Sequence, residues 1–514
     1  MTKKLDAINY FDNSHHRRNL KDEAIQGGAI VVAARGFTTI IHIGGTVVLA
    51  RLLTPNDFGL VAMVSALTEV LFLFRDAGLT DATIQASSIN HKQVSTLFWI
   101  NLAICLFITI LLIALSPAVV WFYKNKRLMA IMMVSSASYV FWGLSFQHMA
   151  LLKRNMLFFR VSMIGILAQL VSTSAAVVLA LAGSGYWAIV MREIIFSILT
   201  CILAWIYCSW RPGLPAKTSD VFPMLKFGAN SAGFYIVSYF AKNVDKIIVG
   251  KKFGSIPLGL YSRAYYLATT PNTQISEALF HVSVSTLSKI RQDTDKYRRY
   301  YLNAISAISF VGMPLGVLMV LMSKELVLLL LGPQWSGTAR LFSILGLAAG
   351  MNILYYTVGW LHVSLGRSDR WLRWGIFSAI ILAAACVIGM FFGPKGIAWG
   401  YTLAIITLTL PGVLYAGRPI GLSFNKVLSK IWKNILAAIL GGLLLNYLNS
   451  QIILTLPLFL SIMISSLSYL AIFLAIITIL NRGITPIKEL YSLSRIVISK
   501  RNREERTSNK ADTL

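Results

Sequence analysis

Residues 28–53 read GAIVVAARGFTTIIHIGGTVVLARLL. The run exceeds the roughly 20 apolar residues that carry a helix across a ~30 Å hydrocarbon core, and Arg35 is the one charge inside it before Arg51 at its end. It is too long for the apolar heart of a cleavable secretory signal, and the 27 residues before it are polar, with Lys3, Lys4, Arg17, Arg18 and Lys21. The spacing predicts a first membrane span that stays in the mature chain. Comparable apolar runs follow near 58–77, 95–117, 128–149, 158–182, 186–208, 228–249, 262–285, 300–322, 338–363, 372–392, 397–416, 431–449 and 457–480. Gly-Ser-Gly at 183–185 and Gly-Pro-Lys-Gly at 393–396 punctuate the two shortest gaps.

Composition agrees with this count. Of 514 residues, 56% are apolar and 13% charged, against about 25% charged in soluble domains. The formal charge of +27 fits the excess of Lys and Arg that polytopic proteins keep in cytoplasmic loops. No basic cluster is interleaved with aromatics on a polar background, so no nucleic-acid partner is expected. With fourteen spans, Lys and Arg concentrate in both tails and in every second loop, which predicts that both termini are cytoplasmic. Cys105, Cys201, Cys208 and Cys386 lie in apolar runs with no Cys-x-x-Cys pair or Cys/His cluster, and read as buried thiols without a metal.

An internal repeat is visible at an offset of 200: Gly28-Ala29 with Gly228-Ala229, Arg51 with Lys251, Gly59-Leu60 with Gly259-Leu260. Leu152, Arg154 and Arg160 match Leu365, Arg367 and Arg373 at 213, and Gly185-Tyr-Trp-Ala188 parallels Gly396-Ile-Ala-Trp399. Both copies begin on one side, so the expected fold is an all-α polytopic membrane protein. It has about fourteen transmembrane helices, in two parallel six-helix repeats around a central cavity, with two extra C-terminal helices. The expected divisions are a cytoplasmic tail 1–27, an N-terminal lobe 28–215, a C-terminal lobe 216–420, helices 13 and 14 over 421–480, and a basic cytoplasmic tail 481–514.

A charge inside a span costs about 2.5–3.5 kcal/mol on the insertion scale, and such residues face a bundle interior or a wet cavity. Arg35, with Thr39 and His42 on its face, Arg75, Arg192, Lys242 and Lys246 are the candidate anion-binding cations. Glu69, Asp76, Asp245 and Glu277 are the candidate ion-coupling acids, since burial raises a carboxyl pKa toward proton uptake. Lys242 and Asp245 could neutralise one another at i, i+3, and Arg192 stands beside Glu193. Tyr235, Tyr239, Tyr265, Tyr266 and Trp360 are aromatic contacts for a sugar or ordinary core residues.

There is no G-x-x-x-x-G-K-[ST] loop for nucleotide hydrolysis. Asp293-Thr-Asp295 lies in a short basic loop with no nucleotide-binding domain around it. Gly366-Arg-Ser-Asp-Arg370, a fragment of a major-facilitator loop motif, follows the tenth span rather than the second and is taken as coincidence. No loop is long enough for a catalytic domain, so the chain reads as a transporter and not an enzyme.

Arg51-Leu-Leu-Thr-Pro-Asn-Asp-Phe-Gly59, Asp76-Ala-Gly-Leu79, Asn243-Val-Asp-Lys-Ile-Ile-Val-Gly250 and Leu258-Gly-Leu-Tyr261 together resemble the polysaccharide transporter family. These are the Wzx-type lipid-linked oligosaccharide flippases of the multidrug, oligosaccharidyl-lipid and polysaccharide exporter superfamily. The resemblance, over about residues 20–480, implies a two-lobed bundle alternating between inward- and outward-facing states in the bacterial inner membrane. The implied cargo is an undecaprenyl-diphosphate-linked oligosaccharide for exopolysaccharide, capsule or O-antigen assembly. Membrane lipids and other polysaccharide-assembly membrane proteins are the further implied partners. The resemblance brings no site residue with it; from burial and charge alone, Arg35 is the expected diphosphate anchor and Glu69 or Glu277 the switch, with no resident cofactor and with H⁺ or Na⁺ as the coupling ion. Two competing readings stay open: a cation-coupled multidrug exporter of the same superfamily, and a membrane-embedded polysaccharide polymerase or glycosyltransferase. In the turn after the first span, Pro55 is expected to break the helix, Asn56 and Asp57 to cap the next, and Gly59 to permit close packing.

Overall fold

The structure, a computed structural model, describes residues 10–11, 20–72, 74–76, 78–86, 88–215, 243–451 and 457–483. Among these, regular structure is helical, and ten helical stretches are long and apolar enough to cross a membrane. One of the ten, Ser368–Ile420, holds two helices. Most of the expected seventh span lies outside the described residues. The chain divides into two compact units, Met1–Gly259 and Leu260–Leu514. The lobe boundary expected near 216 also falls outside the described residues.

The first unit holds α1 (Leu20–Leu52), α2 (Pro55–Phe72), α3 (Leu79–Gln85), α4 (His91–Tyr123), α5 (Arg127–Arg154), α6 (Phe158–Leu181) and α7 (Trp187–Tyr207). The described part of α8 covers residues 243–253. The second unit is built from most of α9 (Ser255–Lys289), then α10 (Thr294–Leu321), α11 (Ser323–Leu330), α12 (Ser336–Ser364), α13 (Ser368–Gly389), α14 (Gly393–Gly417), α15 (Phe424–Gln451) and α16 (Leu458–Leu480). At about 1.5 Å per residue, the 33 residues of α4 run about 50 Å, beyond the ~30 Å hydrocarbon core. Its start is fixed by a capping box, Asn90 accepting from the Gln93 backbone and Gln93 from that of Asn90.

Packing repeats within each unit. In the first, α5 lies against α4 and α7, and α6 against α7; in the second, α12 lies against α10 and α14, and α13 against α14. The turn that joins the second and third of these helices, α5 to α6 and α12 to α13, repeats bond for bond. Asn155 N bonds Leu151 O, Met156 N bonds Lys153 O and Leu157 N bonds Leu152 O; Leu365, Gly366 and Arg367 make the same bonds to Leu361, Val363 and His362. Met156 (φ 53°) and Gly366 (φ 68°) both take the left-handed conformation that closes such a turn. The structural offset here is thus 210, not 213. The Arg154–Arg367 and Arg160–Arg373 identities therefore join residues that are not structural equivalents.

Small residues let helices approach where no hydrophobic drive separates protein from lipid. Gly312 and Gly316 of α10 face Gly346 and Gly350 of α12. Tyr297 and Tyr301 then bond across to Ser364 and Thr357 at 2.5 and 2.8 Å. Asn434 of α15 donates to Ser306 O and Ser309 Oγ of α10. These buried hydroxyl and amide pairs fix rotation about the helix axes, which apolar packing alone leaves loose. All four cysteines are buried thiols.

The turn at 53–59 is built differently from expectation. Pro55 does start α2, but the cap is Thr54. Thr54 N and Oγ1 both donate to Asp57 Oδ2, at 2.9 and 2.6 Å, and Asp57 N donates back to Thr54 Oγ1. Asp57 is therefore the third-position partner of a capping box, and its other oxygen accepts from Tyr186 N at the head of α7. Asn56 accepts from Ser255 Oγ at 2.5 Å. Gly59 meets the close approach expected of it: a methyl group there would overlap the Ser255 carbonyl, and one on Gly259 would overlap the Pro55 carbonyl.

Candidate functional site

Ionisable side chains gather in the first unit from α1, α2 and the turn after it, α7 and α8, with aromatic partners on α5. Their placement follows from helix periodicity. Arg35, His42, Thr46 and Leu49 share one stripe of α1, while Phe37 and Ile40, half to two-thirds exposed at 50% and 70%, lie on another flank. His42 shows where the stripe points, because its Nδ1 lies 2.8 Å from Nη2 of Arg192 on α7. Arg35 is exposed on the same stripe, about 10 Å further along the axis.

Arg75, in the turn after α2, lays its guanidinium 4.4 Å from the Trp142 ring centre and 5.4 Å from that of Phe146, both on α5. Such a cation–π contact is worth about 2 kcal/mol or more when desolvated. Trp142 packs in turn on Phe196 of α7. Glu193 of α7 lies in the field of Arg75 and Arg192, and Glu69 of α2 in that of Lys246 and Glu193. Lys246 Nζ donates to Asn243 Oδ1 at 2.9 Å, and Asp245 is 2% exposed.

The cluster therefore brings three cations, Arg75, Arg192 and Lys246, together with two acids, Glu69 and Glu193. It carries charge of both signs. Carboxylates and guanidinium groups in shared fields hold one another in place, and a loss of charge on the acids would make the cluster more positive.

Other candidates fall elsewhere. Asp76 closes the turn into α3: its Oδ1 accepts from Thr80 N at 3.1 Å and Thr80 Oγ1 at 2.6 Å, with Asn101 Nδ2 at 3.5 Å. Glu277 is exposed on α9 in the second unit, near Tyr356 of α12. Lys242, Tyr235 and Tyr239 lie outside the described residues. Trp360 is 2% exposed, part of the second unit's core. Tyr265 pairs edge-on with Tyr401, and Arg263 sits over Tyr266.

Sequence reasoning missed the partners His42, Trp142 and Phe146, and offered Arg192 its sequence neighbour Glu193 or the membrane interface. One signal was available. Neighbours at i, i+1 on a helix point about 100° apart and do not face each other, so an arginine beside an acid still needs a partner from another helix. Among the described residues there is no group of three or more His, Cys, Asp or Glu side chains placed to hold a metal ion.

Comparison with known proteins agrees with this architecture. The chain is 24% identical to the lipopolysaccharide biosynthesis protein WzxC of Escherichia coli (strain K12), over 80% of this chain and 85% of that one. It is 23% identical to the teichuronic acid biosynthesis protein TuaB of Bacillus subtilis (strain 168), over 79% and 85%. The fold is shared with the solved lipid II flippase MurJ in an inward closed conformation, at a TM-score of 0.68 and 18% identity, covering 88% of this chain and 99% of that one. The family model described as polysaccharide biosynthesis protein matches residues 48–340, more than half of the sequence. The chain is a multi-pass membrane protein and belongs to the polysaccharide biosynthesis protein family.

Proposed function

We propose that this protein is a secondary transporter, not an enzyme, that flips undecaprenyl-diphosphate-linked oligosaccharide repeat units across the bacterial inner membrane with both termini in the cytoplasm. The observation that carries the reading is the mixed-charge cluster of Arg75, Arg192 and Lys246 with Glu69 and Glu193 among membrane-spanning helices. The names of the WzxC and TuaB relatives and the fold shared with a lipid II flippase support the substrate class.

The chemistry runs as follows. A diphosphate brings two or more negative charges into a low-dielectric space, where guanidinium groups replace its lost water with charge-assisted hydrogen bonds. While Glu69 and Glu193 are ionised, they satisfy the cations internally and the anion is not favoured. Uptake of H⁺ or Na⁺ by those carboxylates leaves Arg192, Arg75 and Lys246 uncompensated and draws the diphosphate in, with Arg35 on the approach. Loss of the ion restores the internal pairs and releases the cargo. Glu277 belongs to the second unit's share of the same process.

The test is a deletion strain assayed for surface glycan and for lipid-linked repeat units held on the cytoplasmic leaflet. Loss of the first with accumulation of the second supports the reading. Normal surface glycan in the deletion strain overturns it.

A further inference from the structure

Four cations converge where α10 and α15 begin. Arg298 and Arg299 from α10 and Lys426 and Lys430 from α15, with Asp295, Leu302 and Ser429, line an open cavity of about 530 Å³ in the second unit. Asp295 is the acid in that lining, and it is already engaged: Arg298 Nη1 lies 3.1 Å from its Oδ1, while Arg298 Nε donates to Ile420 O at 2.7 Å. The remaining three cations have little to balance them. Lys430 Nζ has a 3.4 Å contact to Asn303 Oδ1, and among the described residues Arg299 and Lys426 make no side-chain hydrogen bond or ion pair. Like charges brought into one concavity repel, and a bound anion relieves that repulsion.

The surface next to the cations is apolar. Trp432, Leu436, Ile439, Leu440 and Leu443 of α15 are all exposed, and Lys433 sits 5.9 Å from the Trp432 ring while donating to Asn481 beyond the end of α16. An exposed tryptophan among lysines marks the headgroup level of a bilayer. A ligand that is anionic at one end and hydrocarbon beyond it matches both surfaces, and basic pockets between transmembrane helices hold lipid headgroups in this way.

We propose that this groove binds the phosphate of an anionic phospholipid headgroup, with the acyl chains along the apolar flank of α15. α15 is the first helix beyond the six-helix repeat, so the groove gives the two added helices a task distinct from cargo movement. The inference stands independently of the transport reading.

The experiment is native mass spectrometry of the purified full-length protein with phosphatidylglycerol, with phosphatidylcholine of equal chain length, and with inorganic phosphate in large molar excess as competitor. The protein is expected to retain phosphatidylglycerol over phosphatidylcholine. The Arg299→Gln/Lys430→Gln variant is expected to lose about tenfold or more in that affinity, since each basic side chain near the surface adds several-fold attraction. Lys426→Gln, at an exposed position, should lose less and serves if the double variant does not fold. Lys324→Gln/Arg340→Gln, which removes two exposed cations outside the cavity, should bind as wild type. Equal phosphatidylglycerol retention by the groove variants overturns the proposal, as does equal retention of the two lipids. Displacement by inorganic phosphate overturns it too, since that assigns the groove to a soluble anion.

Discussion

Arg192 reaches from α7 to α1, where its Nη2 lies 2.8 Å from Nδ1 of His42. A guanidinium can only donate, so Nδ1 accepts and the ring proton resides on Nε2. Hydrogen bonds to charged groups contribute about 1.5–3 kcal/mol, so losing this one should lower transport about tenfold or more. We expect His42→Ala and Arg192→Ala to show that loss in a complemented deletion strain, read as surface glycan per unit of membrane protein. His42→Gln, which keeps an acceptor oxygen, should retain more. Full glycan from His42→Ala would remove the pair from the site.

Arg75 and Glu193 should behave as a coupled pair. Removing one member leaves the other's charge without its counterpart, whereas removing both is milder; because Glu193 is exposed and Arg75 half-buried, the loss is smaller than for a fully buried pair. Arg75→Gln alone is therefore expected to reduce folded protein in the membrane, and Arg75→Gln/Glu193→Gln to recover part of it, as measured by fluorescence-detected size exclusion. Additive losses would show that the two do not interact.

Gly59 and Gly259 need to be glycine for a steric reason that Gly44 lacks. A methyl group at Gly59 or Gly259 meets the backbone of the facing segment, while one at Gly44 meets nothing within 4 Å. Gly59→Ala should lower stability by about 1–3 kcal/mol, and Gly44→Ala should leave it unchanged or raise it by up to about 1 kcal/mol. Thermal unfolding of the purified protein distinguishes them, and equal midpoints for the two variants would contradict the close approach.

The turn shared by the two units offers a complementary substitution. Met156 holds φ 53°, where its counterpart Gly366 holds 68°. A side chain in that region costs about 1–2 kcal/mol. Met156→Gly should raise the midpoint and Gly366→Met lower it; the reverse order would rule out the equivalence of the two turns.

Much of this architecture was legible because the bilayer enforces it. Length and apolarity of each span must match the hydrocarbon core, so runs such as 28–53 and 457–480 announce helices without further help. The one-turn errors arose where polar residues serve structure. Residues 73–77 were counted in the second span, although α2 ends at Phe72 and Asp76 turns the chain into α3. Thr54 was overlooked as a cap because Asn56 and Asp57 carry the stronger preference, yet the fold uses Asp57 from the third helical position.

The site was half legible. A charge in a span is conspicuous in one dimension, which is how Arg75, Arg192, Lys246 and Glu69 were found. Their partners are set by which helices pack together, and no periodicity in α7 reveals that α1 brings His42 to Arg192. Trp142 and Phe146 were hidden for the opposite reason, since aromatics at helical spacing look like core.

The account rests on the cluster of the first unit moving a phosphorylated lipid. The direct measurement reconstitutes the purified protein in vesicles with a fluorescent undecaprenyl-diphosphate oligosaccharide and follows its transfer between leaflets by quenching from outside. Wild type is predicted to transfer the lipid, Arg192→Ala to fall to the protein-free rate, and Glu193→Gln to bind it but turn over slowly. Transfer by Arg192→Ala at the wild-type rate would contradict the account.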